Sequence, residues 1–339
     1  MAHARTFNYE AATVIDGLVF FSDGNNRDVR AGGVTAMNVT ITEMSARFEQ
    51  AVQDIAAWRK RCREDPTWIL VEGLADIDRA KQSGGVGLIM GWQNAKPFGE
   101  SLERIALFHE LGLRVVQLTY NEANLIGDGC LETRNGGLSR YGVQVVEEMN
   151  RVGIAIDASH CAEQTCLDAC KHSSRPVLLT HANANGVIKR PRNKSDEVLK
   201  AVAATGGVIG CSIHGYLNWR GDPARQSSLE DFVANVKYIG DLVGYEHVGI
   251  GTDFPSVDTY EAVRHVMVMS RTKYPASGGD LAAAFGDVME ARYPKETPTP
   301  AQFPVLAQAL EDGGLTDAQI AGVLGKNFYR AFGECWKSN

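Results

Sequence analysis

The sequence predicts a closed (β/α)8 barrel. Eight short apolar runs alternate with helical segments, beginning at Val14, Val34, Val86, Val115, Gly153, Pro176, Val208 and His247. Polar side chains follow many of these runs: Gln93, Tyr120, His160, His181, His214 and Asp253. Successive parallel strands end on the same edge of a sheet, so these residues should share one rim. The first turn also lacks G-x-G-x-x-G, which removes the dinucleotide fingerprint of an open doubly wound sheet.

The elements follow in order. Val14–Phe20 reads as the first strand, and the polar stretch Asn25–Gly33 as a helix with a glycine stop. Val34–Thr40 is the second strand. Ser45–Cys62 carries Phe48, Val52, Ile55 and Trp58 at helical spacing. Trp68–Val71 is a short extended piece and Leu74–Ser83 a short helix. Val86–Met90 is a strand, Ser101–Leu111 a helix stopped by Gly112, and Val115–Leu118 a strand leading to Tyr120 and Asn121. A glycine-rich loop, Gly127–Gly137, precedes the helix Tyr141–Val152. The unit Gly153–His181 is strand, helix (Glu163–His172) and strand, with a histidine after each strand. Asp196–Ala204 and Leu229–Val243 are helices flanking the strand Val208–Ile213. His247–Gly251 is the last strand, followed by Thr252 and Asp253. One barrel domain over residues 1–339, with a helical extension from about 260 to 339, accounts for the chain.

Composition narrows the function classes. The 339 residues are 44% hydrophobic and 22% charged, as in a globular protein with a large core. A formal net charge of -7 gives no electrostatic case for nucleic acid or an anionic membrane. No apolar run approaches the roughly 20 residues of a membrane helix, and the first residues have no apolar signal core. Seven scattered cysteines do not form a disulfide framework, so reduced thiols and a cytoplasmic location are expected. Cys161, Cys166 and Cys170 lie close enough for a soft-metal site, but buried core thiols are the commoner use of such residues.

His160 and His181, at matching strand ends, are the first candidates for an active centre. Several motifs then carry a family resemblance. Arg140-Tyr141-Gly142, Glu148-Met149-Asn150-Arg151, Ile156-Asp157-Ala158-Ser159-His160, Thr180-His181 with Arg190-Pro191-Arg192-Asn193, Gly249-Ile250-Gly251-Thr252-Asp253-Phe254 and Gly325-Lys326-Asn327-Phe328-Tyr329-Arg330 resemble the membrane (renal-type) dipeptidases, peptidase family M19 of the amidohydrolase barrels. The resemblance implies a (β/α)8 barrel holding two zinc ions. One ion is bound by a His-x-Asp pair on the first strand and the other by two histidines, with a bridging glutamate. An aspartate contacts the water nucleophile, and an arginine and a further histidine handle the substrate.

The chain departs from that pattern at four positions. Leu18 and Phe20 stand where the first-strand His and Asp are implied, Gln93 where the glutamate is, and Tyr120 where the substrate histidine is. His160, His181, Arg192 and Asp253 are kept. A two-metal centre is therefore not expected. One zinc or other divalent ion, or none, would use His160, His181, Gln93 and Asp253. Asp253, Tyr120 and His214 are the candidate catalytic residues. Arg192, Tyr120 and Asn121 are candidates for holding a substrate carboxylate. The expected activity is hydrolysis of a dipeptide or small N-acyl amino acid. The alternatives are a lyase or isomerase acting on an amino-acid-like substrate, or a non-catalytic barrel that binds a carboxylate. The expected partner is a small carboxylate substrate, with no nucleic acid or membrane, and family habit suggests a homodimer.

Overall fold

The computed structural model describes residues 7–220, 225–257 and 292–337. Its centre is a parallel barrel. The strands are β1 (Ile15–Ser22), β2 (Ala36–Thr40), β3 (Trp68–Leu70), β4 (Val86–Trp92), β5 (Leu113–Gln117), β6 (Ala155–Asp157), β7 (Val177–Leu178), β8 (Ile209–Cys211), β9 (Val248–Ile250) and β10 (Phe254–Ser256). They run in the order β7-β6-β5-β4-β2-β1-β9-β8, with β3 paired to β4 and β10 to β1. A parallel bridge, Leu179 to Ile209, joins β7 to β8 and closes the ring. The eight expected strands are the barrel staves. β10 lay outside the expectation because Phe254-Pro255-Ser256 reads locally as a loop.

The helices are α1 (Arg27–Ala31), α2 (Phe48–Glu64), α3 (Leu74–Ser83), α4 (Glu103–Glu110), α5 (Arg140–Val152), α6 (Glu163–His172), α7 (Asp196–Ala204), α8 (Gly215–Asn218) and α9 (Leu229–Val243). Four of these match the sequence reading residue for residue. Their starts are marked chemically: the hydroxyls of Ser139, Ser195 and Ser228 accept from backbone N–H groups at the heads of α5, α7 and α9. Further helices follow at Phe303–Asp312, Asp317–Ala321 and Asn327–Cys335. The expected extension begins at about 260, and its part up to residue 291 lies outside the described residues.

The core has two layers. The larger lies between strands and helices. The smaller gathers Ile15, Ala36, Ile89, Val115, Ala155, Leu178 and Val208 around Phe328 and Phe332 from the last helix. Phe328 thus plugs the barrel floor, away from the rim. Asn327 donates to the carbonyls of Tyr245 and Val248 (both 2.8 Å), tying that helix to β9.

Candidate active site

The rim opposite this floor carries the histidines. Asp157, ending β6, is buried and accepts from Ser159 N–H (2.9 Å), Ser159 Oγ (2.5 Å), Thr180 N–H (3.0 Å) and Thr180 Oγ1 (2.7 Å). The Thr180 hydroxyl therefore directs its one hydrogen at Asp157. His181 Nδ1, 2.9 Å from that hydroxyl, is then the donor of their contact. His160 Nδ1 likewise donates to Asn121 Oδ1 at 2.7 Å. Both rings are fixed as Nδ1–H tautomers. Their Nε2 lone pairs face one another 3.0 Å apart. Burial, then the nearby Arg192 cation, holds both imidazoles well below their ordinary pKa, which disfavours a proton between them. Gln93, buried at the end of β4, places its amide nitrogen 3.2 Å from His181 Nε2. Turned over, the amide would present its oxygen instead.

Two glycines set the depth of this pair. A Cβ on Gly210 or Gly251 would fall 2.0 or 1.8 Å from the Thr180 carbonyl oxygen. The strands can therefore close around Thr180 only where no side chain intervenes.

β1 and the segment after β9 make the opposite wall. Asp16 accepts from Leu18 N–H (3.2 Å), Thr252 N–H (3.0 Å) and Thr252 Oγ1 (2.5 Å). Burial raises its pKa to about 7. Asp253 N–H donates to Leu18 O at 3.0 Å, and Asp253 stands at φ 59, a left-handed conformation unusual outside glycine. Its Oδ1 is sealed from solvent and has no hydrogen-bond partner among the described residues. Burial raises its pKa to about 6, against the opposing pull of Arg292 and Arg192.

Tyr120, Asn121, His160, Arg192, His214, Asp253 and Arg292 share a cavity of about 60 Å³. Tyr120 stacks on His160, centroids 4.2 Å apart at 21°. The Arg192 guanidinium donates to the carbonyls of Ser159 and His181, the latter at 3.1 Å, and so braces both histidine-bearing loops. His214 Nδ1 faces Tyr216 N–H (3.2 Å) and Nε2 faces Arg292 Nη2 (2.8 Å). Both neighbours are donors, and a neutral imidazole accepts at only one of its two nitrogens. Burial, Arg292 and Arg192 hold this ring well below its ordinary pKa, so it sits uncharged as an acceptor rather than as a poised acid.

The sequence reading thus placed its candidates on one rim. Their grouping differs in one respect from the expected metal set. Among the described residues no three His, Cys, Asp or Glu side chains form a group able to hold a metal ion. His160, His181 and Gln93 converge, while Asp253 belongs to the facing wall. Two neutral imidazole lone pairs and an amide suit one divalent ion and lack the carboxylate that two close cations need. Leu18 is buried and, like Phe20, offers no ligand atom. The Thr180–Asp157 relay and Arg292 were missed. The relay was within reach of the sequence, since Asp157 and Thr180 fall at the same ends of adjacent strands. Arg292 carries no local signal.

Barrel and rim together define an amidohydrolase-type (β/α)8 protein. The fold matches the crystal structure of an amidohydrolase from Pseudomonas aeruginosa at a TM-score of 0.84 and 32% identity, covering 96% of this chain and 97% of that one. More narrowly, the chain belongs to the membrane dipeptidase family, peptidase family M19, whose family model matches residues 20–270. It is 31% identical over 251 residues to dipeptidase verJ of Clonostachys rogersoniana, covering 74% of this chain and 55% of that protein. It is 32% identical over 187 residues to dipeptidase tcpJ of Claviceps purpurea (strain 20.1), covering 55% and 44%. The chain spans about half the length of these curated relatives. A metallo peptidase from Rhodobacter sphaeroides, solved with a phosphinate mimic of L-Ala-D-Ala, shares the fold at a TM-score of 0.78 and 20% identity, covering 96% of this chain and 99% of that one.

Proposed function

We propose that this chain hydrolyses the amide bond of a dipeptide or small N-acyl amino acid, using one divalent ion and not two. The observation that carries this reading is the pair of Nε2 lone pairs, on His160 and His181, facing each other at 3.0 Å with both tautomers fixed from behind. Two bare lone pairs at that separation repel unless a cation shares them. His160 and His181 would hold the ion, with the Gln93 oxygen as a weak third donor. A divalent ion there supplies Lewis acidity toward the scissile carbonyl.

The chain's own residues do the rest. Asp253 Oδ1, without a hydrogen-bond partner among the described residues and raised to about pKa 6, takes the proton of the attacking water as oxygen bonds to the carbonyl carbon. The same proton then passes to the departing amine nitrogen as the carbon–nitrogen bond breaks. Tyr120, over His160, donates a hydrogen bond toward the developing oxyanion. Arg192 keeps the two histidine loops in register.

The test is metal content per chain by elemental analysis of protein purified without chelator, compared with His181→Ala. About one ion per chain, lost in the variant, is the expected result. No metal in either form overturns this mechanism. Turnover that persists after chelation would instead assign the rim to a proton-transfer reaction run by Asp253.

A further inference from the structure

The loops that carry the rim residues have a second face. Leu131, His160 and Arg192 line the small cavity of the rim. Their chain neighbours Cys130, Cys161 and Asn193 line another, of about 370 Å³, so the two cavities share these three segments as a common wall. That volume is within the range of small-molecule sites, and the hydrolytic mechanism makes no use of it. Its charges are uneven: Arg134, Lys189, Arg190 and Lys194 against Glu132 and Glu163. Three of the six are engaged within the chain. Glu132 accepts from Ala123 N–H (2.7 Å), Glu163 accepts from the Ser195 hydroxyl, and Arg134 pairs with Asp128 (3.0 Å). Lys194 is buried and donates to Cys161 O (2.6 Å), with the Cys166 sulfur at 3.5 Å. Among the described residues no carboxylate pairs with it.

Arg190 is the group best prepared for a ligand. Its guanidinium carbon lies 4.6 Å from the centroid of the Tyr216 ring and 4.8 Å from that of Trp219. Two aromatic faces fix the plane of the fork and occupy none of its N–H donors. Its Nε is sealed from solvent without an acceptor, so a ligand would meet the terminal nitrogens. Among the described residues neither a carboxylate nor any other acceptor meets those nitrogens. The head of α6 opens on the same cavity, and its cap position is Ala162, which offers no side-chain acceptor to the first N–H groups. We infer that this second cavity is a non-catalytic site for a small molecule bearing an oxyanion, carboxylate or phosphoryl, gripped by the Arg190 fork with the Lys194 ammonium behind it. Planar pairing of a guanidinium with two oxygens of such a group is the strongest hydrogen bonding this cavity can offer.

The site does not rest on the hydrolase reading. The experiment is calorimetric binding of sulfate and of acetate to the full chain, in the wild type, Arg190→Met, Arg190→Lys and His181→Ala. It is run at constant ionic strength and about pH 6, where the Cys166 thiol, drawn down to about 7 by its hydrogen bond with Cys161 and by Lys194, is mostly protonated and does not neutralise the ammonium. The thermal midpoint is measured on each preparation. The wild type and His181→Ala should each take up one anion per chain, with affinities within about twofold, because His181 belongs to the rim. Arg190→Met should weaken binding about tenfold, the worth of a hydrogen bond to a charged group. Arg190→Lys should weaken it about threefold, because charge survives and the fork does not; this variant also decides the matter if Arg190→Met fails to fold. Sulfate bound more tightly than acetate assigns a phosphoryl group, and the reverse order a carboxylate. Binding of neither anion, binding unchanged in the Arg190 variants, or binding lost in His181→Ala overturns the inference. Anion binding that follows Arg190 in a protein without metal would remove the hydrolase reading and leave this site standing. One metal ion per chain without anion binding would do the reverse.

Discussion

At the residue scale the site is a set of protonation states imposed by neighbours. His181 holds one tautomer because the Thr180 hydroxyl directs its only hydrogen at Asp157 and faces Nδ1 as an acceptor. Thr180→Val keeps the volume and removes the relay to Asp157, so His181 loses its fixed tautomer. The expected outcome is a 10- to 100-fold weaker metal affinity, as for other partners of metal ligands, read by competition with a chelating dye. Asp253 should set the acid limb of activity. Hydrolysis should fall below about pH 6 as its carboxylate takes up a proton. Asp253→Asn should lower kcat by roughly 10²–10⁴-fold and abolish that limb. The same residue has a measurable cost in stability. Its folded pKa lies above the unfolded value, so the folded state holds the proton more tightly, and stability declines as pH rises from about 4 to about 6. Asp253→Asn should therefore match the wild type at pH 4 and exceed it by on the order of 2 kcal/mol at pH 8, by denaturant titration at both values.

At the element scale most of the barrel was legible, because each stave is a short apolar run and several of the helices between staves end at a glycine. The two histidines were legible for the same reason: strand ends fix which rim a residue joins. What the pattern hid was assembly across the barrel. α8 is too short to show a period, and β10 contains a proline. Arg292 follows no motif, and only the closed fold brings it over Phe20. Leu18, Phe20 and Gln93 were read as departures from a metal-binding pattern, and nothing in their identities announced a guanidinium nearby. The close approach at Thr180 O is a second such cross-barrel property. Gly251→Ala, with its new methyl directed at that oxygen, should cost about 3 kcal/mol or more and lower metal content together with stability. A variant with normal unfolding and normal metal content would show that the strands can spread.

At the scale of the whole molecule the barrel has two unlike ends. The rim is polar and conditional on ligands. The floor is an apolar seal made by Phe328 against staves from most of the sheet. Phe328→Ala should destabilise by about 3–5 kcal/mol, the cost of a large buried cavity, while leaving the rim's chemistry intact in the fraction that remains folded. Activity per folded molecule, with the folded fraction taken from circular dichroism, is the measurement; a fall in that ratio would mean that floor and rim are coupled.

The bonds of Asp16 to Thr252 join residues 236 positions apart. Contacts of such sequence separation form late, after most of the chain has been ordered, because the loop entropy must first be overcome. Asp253 is seated by that closure. A ligand that bridges the two walls therefore meets a finished pocket only near the end of folding. Such a ligand should leave the refolding rate nearly unchanged and slow unfolding instead. In this protein substrate would act on lifetime, as a latch on the closed ring, and not as a template for building it.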